Sequence, residues 1–448
     1  MLKRTLRKET GQTAIMTLAE IQNNGITGAG GAGFPAHVKL NSKPDTIIMN
    51  AAECEPLLHK DMELILNYSD EILKGFYAVM ELTGAATGII GIKEKHTHEI
   101  ELLKSKVKGN VIVFPLEDVY PAGDEITLIY MTTGRIVQPG KLPISAGCVV
   151  QNVETFYNIA VNKPVVEKYL TVAGAVEKPA TVKVPVGITF REVLSKFRIT
   201  EENYVVRSGG LMMGVLEDDL SKAVNKRTGG LIVLPADHYC VTMYNRYKTT
   251  YATDIIAKAG CDQCSYCTEL CPRYLLGQPV RPETAMRNRM FSSESDKVYY
   301  AGNINCCECN LCTMFSCPEG LDPRGSTVIE KVIARTNKDN TVFEGQGLHP
   351  MYNYRKVPVS SLKQKLDVTK YKDEAPLTDI VYEPDEVKIP LNQHTGAPAA
   401  AVVKAGDKVQ KYDLIGKLNG VVSANVHSSV TGTVTSVSAN EVIIKRVK

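Results

Sequence analysis

Two cysteine runs between Cys261 and Cys317 constrain this chain more than any other feature. The first, C-D-Q-C-S-Y-C-T-E-L-C-P, places Cys261, Cys264, Cys267 and Cys271 ahead of Pro272, in the C-x2-C-x2-C-x3-C-P spacing that holds 4Fe-4S clusters. The second, N-C-C-E-C-N-L-C-T-M-F-S-C-P, places Cys306, Cys309, Cys312 and Cys317 ahead of Pro318, with one extra residue before the last cysteine and one extra cysteine, Cys307. A cluster needs deprotonated thiolates converging from a short loop, and two-residue gaps set three of them around one face of a cubane. Where two clusters share such a pair of runs, the fourth cysteine of each serves the other cluster. That assigns Cys261, Cys264, Cys267 and Cys317 to one cluster and Cys306, Cys309, Cys312 and Cys271 to the other, each closed only when the halves pack together. Two four-cysteine zinc sites are the competing reading, but zinc modules rarely show three cysteines at regular two-residue gaps with a trailing Cys-Pro. Cys307 reads as a spare small residue, able to replace Cys306 if the loop shifts.

Nine of the twelve cysteines fall in this window, leaving only Cys54, Cys148 and Cys240 outside it. A disulfide framework is not distributed in this way, so the compartment is reducing and the three outliers read as buried apolar thiols. With 52 Lys and Arg against 49 Asp and Glu there is no electrostatic case for nucleic acid, and a redox partner is the better expectation. The opening residues, MLKRTLRKETGQTAIM, lack the apolar centre of a signal peptide. No stretch approaches the roughly 18 apolar residues of a membrane span. The expectation is a cytoplasmic protein, peripheral to a membrane at most. At 448 residues the chain exceeds one ordinary core and divides into three or four domains.

Residues 1–163 read as α/β: a helical pattern over 15–23 leads into a glycine loop, and D-T-I-I-M-N, G-I-I-G-I and N-V-I-V-F are short β-rich runs separated by helical periods such as 69–83. Residues 164–240 change to a small α+β unit, with Y-L-T-V-A-G-A-V, a Lys-Pro turn and T-V-K-V-P-V as a hairpin and T-F-R-E-V-L-S-K-F as a helix. The cysteine unit occupies 245–345. A polar stretch over 336–373 carries few helix or strand signals, and 346–378 reads as a linker or surface-hugging connection. Residues 379–448 are rich in Val and Gly at short-strand spacing.

The glycine loop, T-G-A-G-G-A-G-F-P over 27–35, contains G-x-G-x-x-G through Gly28, Gly30 and Gly33. The dinucleotide fingerprint also requires a strand before the loop and a helix after it. Here the loop follows a helix, so the ordinary Rossmann context is missing. What survives is the physical use of glycine: the backbone turns tightly and brings N–H groups close to a phosphate or a flat ring.

That loop is followed in order by N-A-A-E-C-E-P (50–56), Y-P-A-G-D-E (120–125) and N-V-E-T (152–155). The ordered set resembles the NADH-binding flavoprotein subunit of respiratory complex I and its relative, the RnfC subunit of the Rnf complex. The resemblance implies a Rossmann-like FMN domain with FMN contacts from Gly28, Gly30, Gly31, Gly33, Lys39, Asn50, Glu53, Tyr120, Gly123, Asp124, Asn152 and Thr155. It implies nucleotide-side contacts from Phe34, Glu55 and Glu125, with NADH as the electron donor. Lys39 suits the FMN phosphate as a counter-charge, and Phe34 offers a face on which a nicotinamide or adenine ring stacks. Hydride transfer asks for stacked rings and not for a protein acid or base. One position departs from the complex I type: Ala52 stands where an acidic residue is usual.

Y-L-T-V-A-G-A-V-E-K-P and S-G-G-L-M-M-G resemble the soluble-ligand-binding (SLBB) β-grasp domain of the same family, here read as a packing module with Met212 and Met213 in a core or an interface. The tail, H-T-G-A-P-A-A-A-V-V-K-A-G-D-K-V and S-S-V-T-G-T-V, resembles the barrel-sandwich fold of biotinyl and lipoyl carriers, with Val421 where the modified lysine would stand. His394 and His427 read as satisfied histidines. The expected fold class is thus multidomain α/β, joining the flavin domain, the β-grasp domain, a helical ferredoxin-like domain with two 4Fe-4S clusters and an all-β barrel-sandwich hybrid. In RnfC the sandwich comes first; here it comes last. That permuted order resembles the PduS-type cobalamin reductases of bacterial microcompartments, and implies an NADH-dependent FMN and iron-sulfur oxidoreductase with a corrinoid acceptor, cob(III)alamin or cob(II)alamin, or a redox partner protein. Related layouts serve in proline-reductase electron transfer and in a membrane-bound electron-transport complex. From a different class comes a non-catalytic scaffold that has lost its flavin.

Overall fold

The computed structural model describes residues 16–246, 249–291 and 298–447. The opening segment read for a signal peptide, and the expected start of the first helix at Ile15, lie outside them. That helix is Leu18–Asn23, and its capping box is complete: Thr17 accepts the Glu20 N–H while the Glu20 carboxylate accepts the Thr17 N–H. Beyond the glycine loop, four parallel strands form a sheet in the order Val111–Leu116, Thr87–Lys93, Thr46–Ala51, Cys148–Asn152. Such strands are covered on both faces, which is why T-I-I-M-N-A is a near-continuous apolar run. The helix expected over 69–83 begins earlier, at Lys60, and ends on left-handed Gly84. It packs tightly on helix Val153–Val161: a Cβ at Gly75 would sit 2.0 Å from the Phe156 carbonyl oxygen, and Phe76 meets Phe156 edge to face at 5.0 Å.

The strand order reverses at Thr46–Ala51, because the first three strands build outward on one side and Cys148–Asn152 joins on the other. In open α/β sheets a crevice for ligands opens at this reversal, outside the carboxyl ends of the strands. The sheet therefore has the Rossmann type of order although its glycine loop precedes the first strand.

In the middle unit five strands run Ala180–Pro185, Glu167–Gly174, Gly230–Pro235, Tyr204–Ser208, Val215–Glu217, with helix Phe190–Leu194 packed on them. The first two are the expected hairpin. The tail forms one four-stranded and one three-stranded antiparallel sheet around Val387, Ile389, Ile415, Val426, Val434, Val442 and Ile444. Val421 is 84% exposed. Of the two readings of 346–378, a linker or a surface-hugging connection, the described structure has the second, a packed strap. Val357–Pro358 pairs antiparallel with Val119–Tyr120, and helix Val359–Lys365 with the residue after it buries Val359, Leu362 and Leu366. Those three apolar residues stand at helical spacing among lysines and a glutamine, which hides them from a composition reading. Among the described residues no helix is long and apolar enough to cross a membrane.

Candidate functional site: a glycine-loop crevice beside two cysteine runs

The crevice is built at the carboxyl ends of strand Thr46–Ala51 and of its neighbour at the sheet edge, Cys148–Asn152. Asn50 donates from Nδ2 to the Gly123 carbonyl at 2.9 Å and accepts the Ala52 N–H at 3.2 Å. Asp124 caps helix Glu125–Thr133 by accepting the Thr127 N–H at 3.1 Å, and Asn152 caps helix Val153–Val161 by accepting the Glu154 N–H at 3.0 Å. The glycine loop lies on the second of these helix starts. A Cβ on Gly30 would meet the Asn152 Cβ at 3.3 Å, and the Ala29 N–H donates to Thr155 Oγ1 at 3.0 Å. Gly31 and Gly33 run at φ +109 and +70, and a Cβ on Gly31 would meet open space. Helix starts and a glycine turn at one crevice present partial positive charge, the requirement for a phosphate.

The charged residues expected here divide into two groups. Lys39 forms an ion pair with Glu125, both partly exposed, and half-buried Phe34 closes the loop by accepting the Gly28 N–H at 2.8 Å. Glu53, at φ +29, accepts the Asp61 N–H at 3.0 Å and the Met62 N–H at 3.3 Å at the start of helix Lys60–Thr83; burial, with Asp61 beside it, pushes its carboxyl up to about 7. Glu55 is committed to the middle unit, accepting the N–H groups of Met212 at 2.8 Å and Met213 at 2.7 Å, which leaves Met212 buried and Met213 exposed. Tyr120 is buried with its hydroxyl donating to the Cys309 carbonyl at 2.7 Å, and Thr155 is spent on holding Ala29.

Beneath the loop lies a buried charge network that the sequence reading missed. Asn152 donates to Asp61 at 2.7 Å, Lys60 reaches Asp61 at 2.6 Å and Glu154 at 3.3 Å, and Lys168 from the middle unit pairs with Glu154 and reaches the Ala29 carbonyl at 3.4 Å. Burial pushes Glu154 up, but Lys168 and Lys60 outweigh it and hold the carboxyl below its ordinary value. The one available signal was Lys168 itself, a charge inside the apolar strand run V-V-E-K-Y-L-T-V.

The two cysteine runs fold alike. Gln263 and Ser265 flank Cys264 at φ +57 and +67, and Glu308 and Asn310 flank Cys309 at φ +59 and +66. This correspondence aligns Cys306 with Cys261 and Cys307 with Asp262. Cys261, Cys264, Cys267 and Cys317 line one cavity together with Met286 and Leu321. Burial pushes the Cys267 thiol up to about 12. Cys271 keeps company with the other run: burial and then neighbouring Cys306 push its thiol up, and Cys312 in turn is raised by burial, Cys306, Cys267 and Cys271. Thiols spread around a cavity fit a cluster. Cys148 and Cys240 are buried and Cys54 is half-buried beside Gly123. His394 is buried with its Nε2 2.9 Å from the Ala397 carbonyl, and burial lowers His427 to about 3.

The crevice and the cysteine unit adjoin. Besides the Tyr120 contact with Cys309, Arg273, two residues after Cys271, reaches Asp124 at 2.7 Å, and this ion pair holds the buried guanidinium charged.

Comparison with known proteins matches residues 21–161 to the Nuo51 FMN-binding domain, 260–322 to a 4Fe-4S dicluster domain and 365–446 to the RnfC barrel sandwich hybrid domain. The chain thus joins an FMN-binding module to a two-cluster iron-sulfur module. A chain of an NAD+-reducing [NiFe]-hydrogenase shares the fold at a TM-score of 0.50 and 18% identity, over 70% of this chain and 62% of that one. A component of the Na(+)-translocating ferredoxin:NAD(+) oxidoreductase complex of Acetobacterium woodii is 34% identical over 62% of this chain and 62% of its own. Cobalamin reductase PduS of Citrobacter freundii is 37% identical over 98% of this chain and all of its own, and that of Salmonella typhimurium 38% identical over 94% of each. Similarity of this extent, carried across every unit in the same permuted order, places the chain in the PduS family.

Proposed function

We propose that the protein is an NADH-dependent flavin and iron-sulfur oxidoreductase whose terminal acceptor is corrin cobalt, as in cobalamin reductases. The observation that carries this reading is the adjacency of the crevice to both cysteine runs, to the second through Tyr120 and Cys309 and to the end of the first through Asp124 and Arg273. FMN held by the glycine loop would supply exchange between a two-electron hydride donor and one-electron carriers, and 4Fe-4S clusters held by the cysteine runs would supply those carriers, a match for a one-electron metal acceptor. The chain's own residues position. Gly28, Gly30, Gly31 and Gly33 cradle the flavin, Asn50, Gly123, Asp124 and Asn152 shape the crevice floor, and Glu53, Tyr120 and Thr155 support it from behind. Lys39, paired with Glu125 in this structure, would serve the flavin phosphate as counter-charge, and Glu125 and Phe34 would serve the nucleotide. Glu55 bears on nucleotide binding by fixing the Met212–Met213 turn. Cys261, Cys264, Cys267 and Cys317 hold one cluster and Cys306, Cys309, Cys312 and Cys271 the other.

The middle unit, 164–240 in this division of the chain, is an SLBB β-grasp module, supported by its five-stranded sheet and single helix. The setting is cytoplasmic, inside a bacterial microcompartment. The deciding experiment gives anaerobically prepared protein NADH and cob(III)alamin and follows cobalt reduction by visible absorption. Reduction that is lost in both Cys261→Ser and Cys306→Ser supports the reading. Reduction at the full rate by cluster-free variants, or none by intact protein loaded with flavin and iron, rejects it.

A further inference from the structure

The glycine loop is held from outside its own domain. Thr395, on the C-terminal barrel, donates its N–H to the Gly33 carbonyl at 3.0 Å and its hydroxyl to the Ala32 carbonyl at 2.8 Å. Arg227 of the middle unit and His394 of the barrel close on the same turn: a Cβ on Gly33 would lie 2.7 Å from Arg227 Cδ and 3.3 Å from His394 Cα. Buried Lys226 ties the turn ahead of the loop to the barrel, donating to the Gly25 carbonyl at 2.7 Å and the Asn425 carbonyl at 3.1 Å. Each of these tethers ends on a carbonyl oxygen, so none consumes an N–H of the loop. In a planar trans peptide the C=O and the following N–H point in opposite directions. Drawing the Ala32 and Gly33 carbonyls onto Thr395 therefore turns the N–H groups of Gly33 and Phe34 away from the barrel.

We infer that the C-terminal barrel, through Thr395 as a positioning residue, clamps the glycine loop in its flavin-binding conformation. This rests on the flavin reading of the crevice, and it gives the permuted barrel a task at the redox site that needs no carrier lysine. Thr395→Val removes the hydroxyl tether and keeps the shape, while Thr395→Ser keeps the tether. Ser429→Ala is the control, because Ser429 joins the same barrel to the Val186 carbonyl at 2.6 Å, away from the loop. In full-length protein with clusters in place, Thr395→Val should weaken FMN binding about fivefold by fluorescence titration, the worth of one hydrogen bond. Thr395→Ser should restore it, and Ser429→Ala should lower the thermal midpoint without changing FMN affinity. Hydrogen exchange of the flavin-free protein is the second readout: peptides spanning 28–34 should exchange faster in Thr395→Val than in the parent or in Ser429→Ala. Unchanged exchange of that loop in Thr395→Val, or equal loosening by Ser429→Ala, overturns the clamp. Parent protein that binds no FMN while the loop still loosens in Thr395→Val would sink the flavin reading and leave the clamp standing.

Discussion

Gly33 shows how much of the crevice depends on single atoms. Its φ of +70 is in the left-handed region, and Arg227 and His394 leave no room for a methyl group. Alanine there meets both costs, about 1–2 kcal/mol for the backbone alone. Gly33→Ala should therefore bind FMN on the order of tenfold more weakly, with the overall fold retained by circular dichroism; full affinity by fluorescence titration would remove the loop from the flavin site. The glycines were legible because a turn is local chemistry, whereas Asn50 and Asn152 came only from the family resemblance. Lys60, Asp61, Glu154 and Lys168 were not legible, because a charge reads as solvated until tertiary packing buries it. Glu154 neutralises two buried lysines, and breaking such a pair from one side costs about 3–5 kcal/mol. Glu154→Gln should lower unfolding free energy by about that amount in denaturant titration, and a loss below roughly 1 kcal/mol would mean that water already reaches the lysines.

At the scale of elements, spacing made the two cysteine runs legible, and the matching left-handed residues explain what spacing left open. Because Cys307 stands where the first run has Asp262, Cys307→Ser should keep about eight iron and eight sulfide atoms per chain. Cys306→Ser and Cys317→Ser should each fall toward about four, from different clusters. Iron and sulfide analysis with paramagnetic resonance checks this: loss of a cluster in Cys307→Ser would exchange the roles of the two neighbours, and an intact pair in Cys317→Ser would break the crossed assignment. The strap over 352–368 was illegible for the opposite reason. Its strand is two residues long and its helix seven, too short for periodicity to register, and its order comes from pairing with Val119–Tyr120 across a long sequence separation.

At the scale of the molecule, three units meet at Lys226: the middle unit supplies the lysine, the flavin unit the Gly25 carbonyl and the barrel the Asn425 carbonyl. No periodicity announces such a junction, since each partner is a backbone oxygen that any sequence would offer. Its consequence is measurable. Burial lowers the Lys226 amine to about 7 from an ordinary value of 10.5. Between those values the unfolded chain binds a proton that the folded chain does not, so this lysine makes stability rise with pH from about 7 to about 10.5 and contributes no further slope above that. Below the window the folded protein holds a buried ammonium whose hydrogen-bond partners are carbonyls. His394 and His427 lie near enough to feel the lysine, but burial lowers both, so neither titrates in that window. Lys226→Met leaves two carbonyls without their donor and should lower stability by about 1–3 kcal/mol at neutral pH, while flattening the rise above it. Denaturation midpoints collected across the window for parent and variant separate the two effects. A rise that persists unchanged in Lys226→Met would show that the junction is held neutral by something other than this lysine, and a variant as stable as the parent would show that the three units do not depend on it.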